Sequence, residues 1–304
     1  MSTDIEFRVL GVVEVRAGSE WVSLSGKQRS LLAALLLQAN RTVTNARLMD
    51  AVWGRPLPVS PETRVRTLVC ELRRSLGSMS RNPITTRPSG YLIRVEQGQL
   101  DLDTFTQAVA EGRRAAAEGR TEAAAAAYGR ALALWRGSAL GGASGPCAEA
   151  EAARLEEIRM SAQEERFELL LKLGRHAELI ADLGPLVQDH PLRERLHAQL
   201  MAALYLSGRR RDALDLYRGL RNKLVAELGM EPMPEMKRLQ QRILSGDPYP
   251  GGSLLVADPV GPRRQPAPAQ LVESGDHGLP RPRRHHPDAA GGRCGDDRAV
   301  RRHG

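Results

Sequence analysis

The apolar positions between residues 61 and 76 recur at the spacing of one helix face. They are Val65, Leu68, Val69, Leu72 and Leu76, and they fit the i, i+3, i+4, i+7 pattern of an amphipathic helix. The opposite side carries Thr63, Thr67, Cys70 and Arg74, with Arg64, Arg66, Glu71 and Arg73 along the margins. This pattern is common in solvated helices, and it is also what a helix in a DNA major groove needs.

A hairpin is predicted directly after this helix. Residues 84–88 and 91–95 are two extended pieces joined at Ser89-Gly90, and Thr85, Arg87 and Tyr91 are expected to project from them. A wing of this kind follows the minor groove, where an arginine is favoured by the concentrated negative potential.

The residues before the helix predict strands and two further helices. Strands are expected at 7–11, 12–16 and 21–25, with a turn at residues 17–19 between the last two. One helix is predicted over 27–40, and a second runs from an N-cap at Thr44 to a stop at Gly54. Ser60 is the expected cap of the third helix, with Pro61 at its first position.

Helical periodicity takes over from residue 101. Turn signals occur at Gly119-Arg120, Gly174-Arg175 and Gly208-Arg209, and the last two are 34 residues apart, the tetratricopeptide period. The longer first interval is expected to be absorbed by a lengthened helix over 148–173 and a Gly-rich loop at 136–146. The predicted fold is mainly α: a winged helix-turn-helix over residues 1–100 and an all-α, tetratricopeptide-like domain over 101–246.

Charge separates the two predicted domains. Residues 27–100 hold 12 Lys and Arg against 4 Asp and Glu, whereas residues 101–246 hold 21 of each. A local cationic surplus is the electrostatic pattern expected of a domain that binds a polyanion, and a neutral domain fits a protein partner.

Composition predicts no cofactor, no metal site and no membrane span. The 3 cysteines are far apart, no nucleotide-binding loop or enzyme motif is found, and no run of eighteen apolar residues occurs. The N-terminus is acidic where a signal peptide is cationic, which predicts a cytoplasmic protein. Residues 247–304 are rich in Pro, Gly and Arg, which predicts a disordered tail, native or from a truncated or frame-shifted gene end.

The order of strands, helices and hairpin resembles an OmpR-type winged helix-turn-helix, with ELRRSLG before a T-x-R-x-x-G-Y wing. The phrases ALALWRG, HPLRERLHAQLMAALYLSGRR and ALDLYRGLRNKLVAELGMEP resemble a bacterial transcriptional activation domain. Together they resemble the Streptomyces antibiotic regulatory protein family over residues 5–246. That resemblance implies a transcriptional activator of secondary-metabolite clusters, which binds direct repeats near a promoter, pairs on the DNA and contacts RNA polymerase holoenzyme.

The resemblance also implies which residues touch double-stranded DNA. Thr63, Arg64, Thr67, Cys70 and Arg73 fall on the family's major-groove and backbone contacts, and Thr85 and Arg87 fall on its wing contacts. Glu71 departs from the pattern, because relatives often place an arginine there. It is either a reader of cytosine N4 or a solvated residue paired with Arg66 or Arg74. A protein-interaction scaffold with an incidental basic domain is the alternative function.

Overall fold

The computed structural model describes residues 5–77 and 82–247, and it opens with a three-stranded antiparallel sheet. Its strands are β1 (Ile5–Arg8), β2 (Glu14–Ala17) and β3 (Glu20–Trp21), in that order, with the predicted turn between β2 and β3. The predicted strands over 7–11, 12–16 and 21–25 are too long. Strand β1 ends at Arg8 because the amides of Val9 and Leu10 bond the carboxylate of Asp101, and that of Val13 bonds the carbonyl of Gly141.

Three helices follow: α1 (Gly26–Leu36), α2 (Asn45–Trp53) and α3 (Pro61–Ser75). Ser25 and Gln28 cap α1 reciprocally, and α1 ends before the predicted residue 40. Asn40 takes a left-handed conformation there, and its side chain bonds both backbone groups of Val95. The prediction for α2 is confirmed, because Thr44 caps its start and Gly54 ends it.

A second sheet carries the wing. Strands β5 (Ile84–Arg87) and β6 (Gly90–Ile93) form the hairpin, and the two-residue β4 (Val43–Thr44) pairs with β6 on its other side. Strand β4 was not predicted. The turn is Pro88-Ser89, so the predicted Ser89-Gly90 turn is one residue late. The first residue of β6 is Gly90, and only glycine fits there because a Cβ at this position would lie 2.0 Å from the carbonyl oxygen of Val43 on β4.

The remainder is helical. Its elements are α4 (Asp101–Ala117), α5 (Thr121–Leu132), α6 (Pro146–Lys172), α7 (His176–Asp189), α8 (Glu194–Leu206), α9 (Arg210–Leu228) and α10 (Pro234–Ser245). The three Gly-Arg turns are confirmed, and they share one geometry. Each glycine has a positive φ, and each arginine N–H bonds the carbonyl five residues earlier, which closes the preceding helix. Helix α6 agrees with the predicted long helix, whereas α10 was not predicted.

Aromatic side chains fill the helical core. Trp135 is buried and meets Phe105 edge-on at 5.5 Å between ring centroids, and Tyr217 is also buried. Tyr205 is half-buried and donates its hydroxyl to the carbonyl of Asp247. His197 is buried, and burial lowers the pKa of its imidazole. These residues are structural, as their helical spacing indicates.

The carboxylate of Asp101 joins the two halves of the chain. It accepts hydrogen bonds from the backbone N–H of Val9 at 2.9 and 3.1 Å and of Leu10 at 3.1 Å, and Arg136 pairs with it at 2.7 Å. The side chain of Asp101 is 5% exposed. Phe7 adds a backbone bond to Gln99. The described residues consequently fall into one compact unit.

The sequence predicts no membrane span and no metal site, and it predicts a disordered tail. In residues 5–77 and 82–247, no helix is long and apolar enough to cross a membrane. No group of His, Cys, Asp and Glu suited to a metal ion occurs in the same residues. The prediction of a disordered tail falls on residues that, from 248 onward, lie outside the described part of the chain.

Asp101→Asn should lower the free energy of unfolding by about 3 kcal/mol, because the buried N–H groups and Arg136 lose their charged acceptor. Urea denaturation followed by circular dichroism measures this. Glu111→Gln is the control, since its pair with Arg130 is more than half exposed, and it should cost less than about 1 kcal/mol. Equal losses in the two variants would contradict the role given to Asp101.

Candidate nucleic-acid interface

Helix α3 has the two faces that the sequence predicts. Its apolar residues are buried, whereas Thr63, Arg64, Arg66, Thr67, Cys70, Glu71 and Arg74 are exposed. The hydroxyl of Thr67 donates to the carbonyl of Thr63 at 3.1 Å. Pro61 occupies the first helical position as predicted, but the expected cap is only partly right. Ser60 precedes the helix in a left-handed conformation and makes no side-chain cap bond.

The cations around α3 have no acidic partners. In residues 27–77 and 82–97, no side chain takes part in an ion pair, although Lys27, Arg41, Arg47, Arg55, Arg64, Arg66, Arg74, Arg87 and Arg94 are all exposed. Most cations after residue 101 do pair with an acid, for example Arg130 with Glu111 and Arg221 with Glu231. Positive charge is therefore uncompensated on the winged half, where a polyanion could neutralise it.

Glu71 also takes part in no ion pair among the described residues. It is exposed, and among the described residues no ion pair joins it to Arg66 or Arg74, so the pairing considered for it is not formed. Its carboxylate faces solvent from the same surface as the arginines of α3.

The wing presents only some of its predicted residues. Arg87 is exposed at the end of β5, and Thr85 is half-buried. The expectation that Tyr91 projects is wrong, because its side chain is only 7% exposed. Side chains alternate along a strand, and Tyr91 lies on the same face of β6 as the buried Ile93. Thr86, which is not among the predicted contacts, is the exposed residue paired with Tyr91.

Arg73 connects α3 to the wing. Its guanidinium donates to the carbonyl of Ile84 at 3.0 and 3.3 Å and to the hydroxyl of Thr86 at 3.0 Å, and it lies 5.9 Å from the ring centroid of Tyr91. Asn82 completes the link: its amide donates to the carbonyl of Arg73, and its oxygen accepts from the N–H of Ile84. The helical spacing places Arg74 on the exposed side and Arg73 at the margin, as observed, but it does not show that Arg73 meets β5.

Comparison with known proteins agrees with this arrangement. The family model described as "Transcriptional regulatory protein, C terminal" matches residues 18–93, and the one described as "Bacterial transcriptional activator domain" matches residues 100–244. Regulatory protein DnrI of Streptomyces peucetius is 38% identical over 254 residues, which cover 80% of this chain and 93% of DnrI. The chain belongs to the Streptomyces antibiotic regulatory protein family.

The chain spans only about a quarter of the length of some curated relatives. Regulatory protein AfsR of Streptomyces griseus is 43% identical over 244 residues, and the match spans 80% of this chain but 25% of AfsR. Among solved structures, Mycobacterium tuberculosis EmbR in complex with a low-affinity phosphopeptide superposes with a TM-score of 0.78 at 32% identity. That superposition covers 82% of this chain and 67% of EmbR. The mainly α fold, with a winged helix-turn-helix and a helical domain, is thereby confirmed.

Arg73→Ala and Arg74→Ala form a matched pair of adjacent variants. The first should lower the free energy of unfolding by about 1–3 kcal/mol, because a charged donor to Ile84 and Thr86 is lost. The second should stay within about 0.5 kcal/mol of the wild type, because Arg74 is exposed. Chemical denaturation gives both values, and an Arg73 variant as stable as the Arg74 variant would refute the link to the wing.

Proposed function

We propose that this protein is a sequence-specific, DNA-binding transcriptional activator. The observation that carries the proposal is the exposed face of α3, whose arginines have no acidic partners among the described residues, beside a wing with Arg87 exposed. Such a surface is suited to a duplex because helix and wing can contact adjacent grooves while the cations meet phosphates. Membership in a family of transcriptional regulators supports the same function.

Each exposed residue has a proposed task. Thr63, Thr67 and Cys70 lie along the middle of the exposed face of α3 and are assigned to base edges in the major groove. Arg64 and Arg66 lie at the margins and Arg74 lies one turn beyond Cys70, and all three are assigned to phosphates. Thr85 and Arg87 are assigned to the minor groove beside the wing.

Two predicted contacts receive different tasks, and Glu71 receives one of the two roles considered for it. Arg73 and Tyr91 are assigned to holding the wing, because the guanidinium of Arg73 is engaged by β5 and Tyr91 is buried. Glu71 is assigned to cytosine N4, since its carboxylate is exposed and carries no ion pair among the described residues.

The helical half is assigned to the transcription machinery. Its charges largely compensate one another, as in the pairs of Arg193 with Glu157 and Glu164, so it offers DNA little net attraction. Stacked helix pairs form surfaces suited to another protein. We assign that partner as RNA polymerase holoenzyme, and the regulated genes as a secondary-metabolite cluster. Binding as a pair of copies on direct repeats belongs to the same proposal.

Salt dependence tests the DNA contact. If about six cations meet phosphates, the logarithm of the association constant should fall with the logarithm of salt concentration with a slope near −5. Fluorescence anisotropy with a labelled duplex measures this slope. Arg66→Ala should reduce its magnitude by about 1, whereas Arg130→Ala, on α5 and paired with Glu111, should leave it unchanged. A wild-type affinity indifferent to salt would exclude DNA binding by this surface.

Transcription with purified components separates an activator from a scaffold. A template is needed that carries two copies of a selected binding sequence, in the same orientation and about 10.5 base pairs apart, upstream of a weak promoter. The full chain should raise the transcript yield of RNA polymerase holoenzyme, and a half-turn insertion between the copies should abolish the increase. A scaffold would leave transcript yield unchanged on both templates.

A further inference from the structure

The loop between α5 and α6 runs along the winged half instead of filling space inside the helical half. Four backbone hydrogen bonds hold residues 136–146, here called the strap. Arg136, Leu140 and Gly141 donate to the carbonyls of Leu10, Val9 and Gly11 at 2.9, 2.9 and 2.8 Å, and the N–H of Val13 donates to Gly141 at 2.9 Å. The strap therefore runs alongside the β1–β2 connection and forms an isolated parallel bridge to it, between Gly141 and Val12.

The strap next reaches α1. The hydroxyl of Ser30 accepts from the N–H of Ser144 at 2.9 Å and lies 3.1 Å from its carbonyl oxygen. Ser30 is only 2% exposed, whereas Ser144 lies at the surface. The buried hydroxyl of Ser30 is therefore a specific anchor that holds the strap on α1.

The end of the strap lies against α2. A Cβ on Gly145 would lie 3.3 Å from the carbonyl oxygen of Ala51, and a Cβ on Gly54 would lie 3.2 Å from Cδ of Pro146. The end of α2 and the start of α6 are thus in close backbone contact. Helix α6 contacts both α1 and α2.

Helices α1 and α2 form the support on which α3 rests. Their buried leucines, including Leu31 and Leu48, belong to one core with Val65 and Leu72 of α3. Packed interiors transmit displacement, because side chains interdigitate with little free volume. A shift of the strap must therefore change how α1 and α2 hold the helix that presents Thr67 and the arginines.

We infer that the strap is a positioning element for DNA binding, so that the helical half completes the helix-turn-helix. The inference rests on the proposed function and extends it to residues of the helical half, Gly141, Ser144 and Gly145, that lie away from the exposed face of α3. On this inference a fragment of residues 1–97 would not hold its DNA-binding surface in place. Such a fragment lacks Gln99, Asp101 and the strap, which are the partners of Phe7, Val9 and Leu10.

Two strap variants of the full chain test the inference. Gly141→Ala places a Cβ 3.2 Å from Cα of Val12 and pushes the strap away, and the backbone of Gly141 is not in the left-handed region. Ser30→Ala removes the acceptor of the Ser144 N–H. Gly219→Ala is the control, because it also adds one methyl group and a Cβ there meets nothing within 4 Å.

DNA binding is measured with a 30-base-pair duplex that the wild-type protein enriches from a random pool. Each variant is first shown by circular dichroism to be folded at the assay temperature. Both strap variants should bind it roughly five-fold more weakly with an unchanged salt slope, because no phosphate contact is lost. Amide hydrogen exchange in α2 should also become faster in both. Gly219→Ala should match the wild type in all three measurements.

The results that would contradict the inference differ from those that would contradict the proposed function. Folded strap variants with wild-type affinity and wild-type exchange in α2 would overturn the inference, and so would an altered salt slope, which would indicate a direct DNA contact. A wild-type protein that enriches no duplex would overturn the proposed function instead. Hydrogen exchange in α2 needs no DNA and still decides whether the strap positions the helix.

Discussion

The buried carboxylate of Asp101 is the interaction on which the arrangement of the two halves depends. It stands in the first turn of α4, where a negative charge is favoured by the helix dipole, and it receives the N–H groups of Val9 and Leu10. Those amides would otherwise be orphaned where β1 ends. One side chain in the first turn of α4 thus accepts from the amides that follow β1 and holds Arg136 at the start of the strap. Burial and then the charge of Asp101 raise the pKa of the neighbouring Asp103.

Charge is distributed so that the two halves differ in what they attract. The helical half compensates its arginines internally, including the partly buried cluster of Arg193 and Arg195 with Glu164 on neighbouring helices. The winged half leaves its exposed arginines without acidic partners in the described residues. Helix α3 and the wing therefore provide the long-range attraction to a duplex, and the neutral helical half adds little to it.

The interface itself depends on side chains that do not face outward. Arg73 and Asn82 tie α3 to β5, and Gly90 lets β6 approach β4 closely enough to hold the hairpin beside α2. The strap supports α1 and α2 from the other half of the chain. Preorganised geometry of this kind lowers the ordering cost of binding, because helix and wing need not be arranged when DNA arrives.

Most of the helices, the Gly-Arg turns and the exposed face of α3 could be predicted from the sequence alone, whereas α10 was not. Each of these follows from local rules: apolar spacing for the buried face, Thr44 as a cap, and glycines that accept positive φ at the Gly-Arg turns. Contacts between distant residues account for the other features. The engagement of Arg73 by β5, the burial of Tyr91, and the attachment of residues 136–146 to the winged half all depend on partners that no local pattern identifies. Asp101 lies 92 residues from Val9, and no periodicity records a hydrogen bond across that separation.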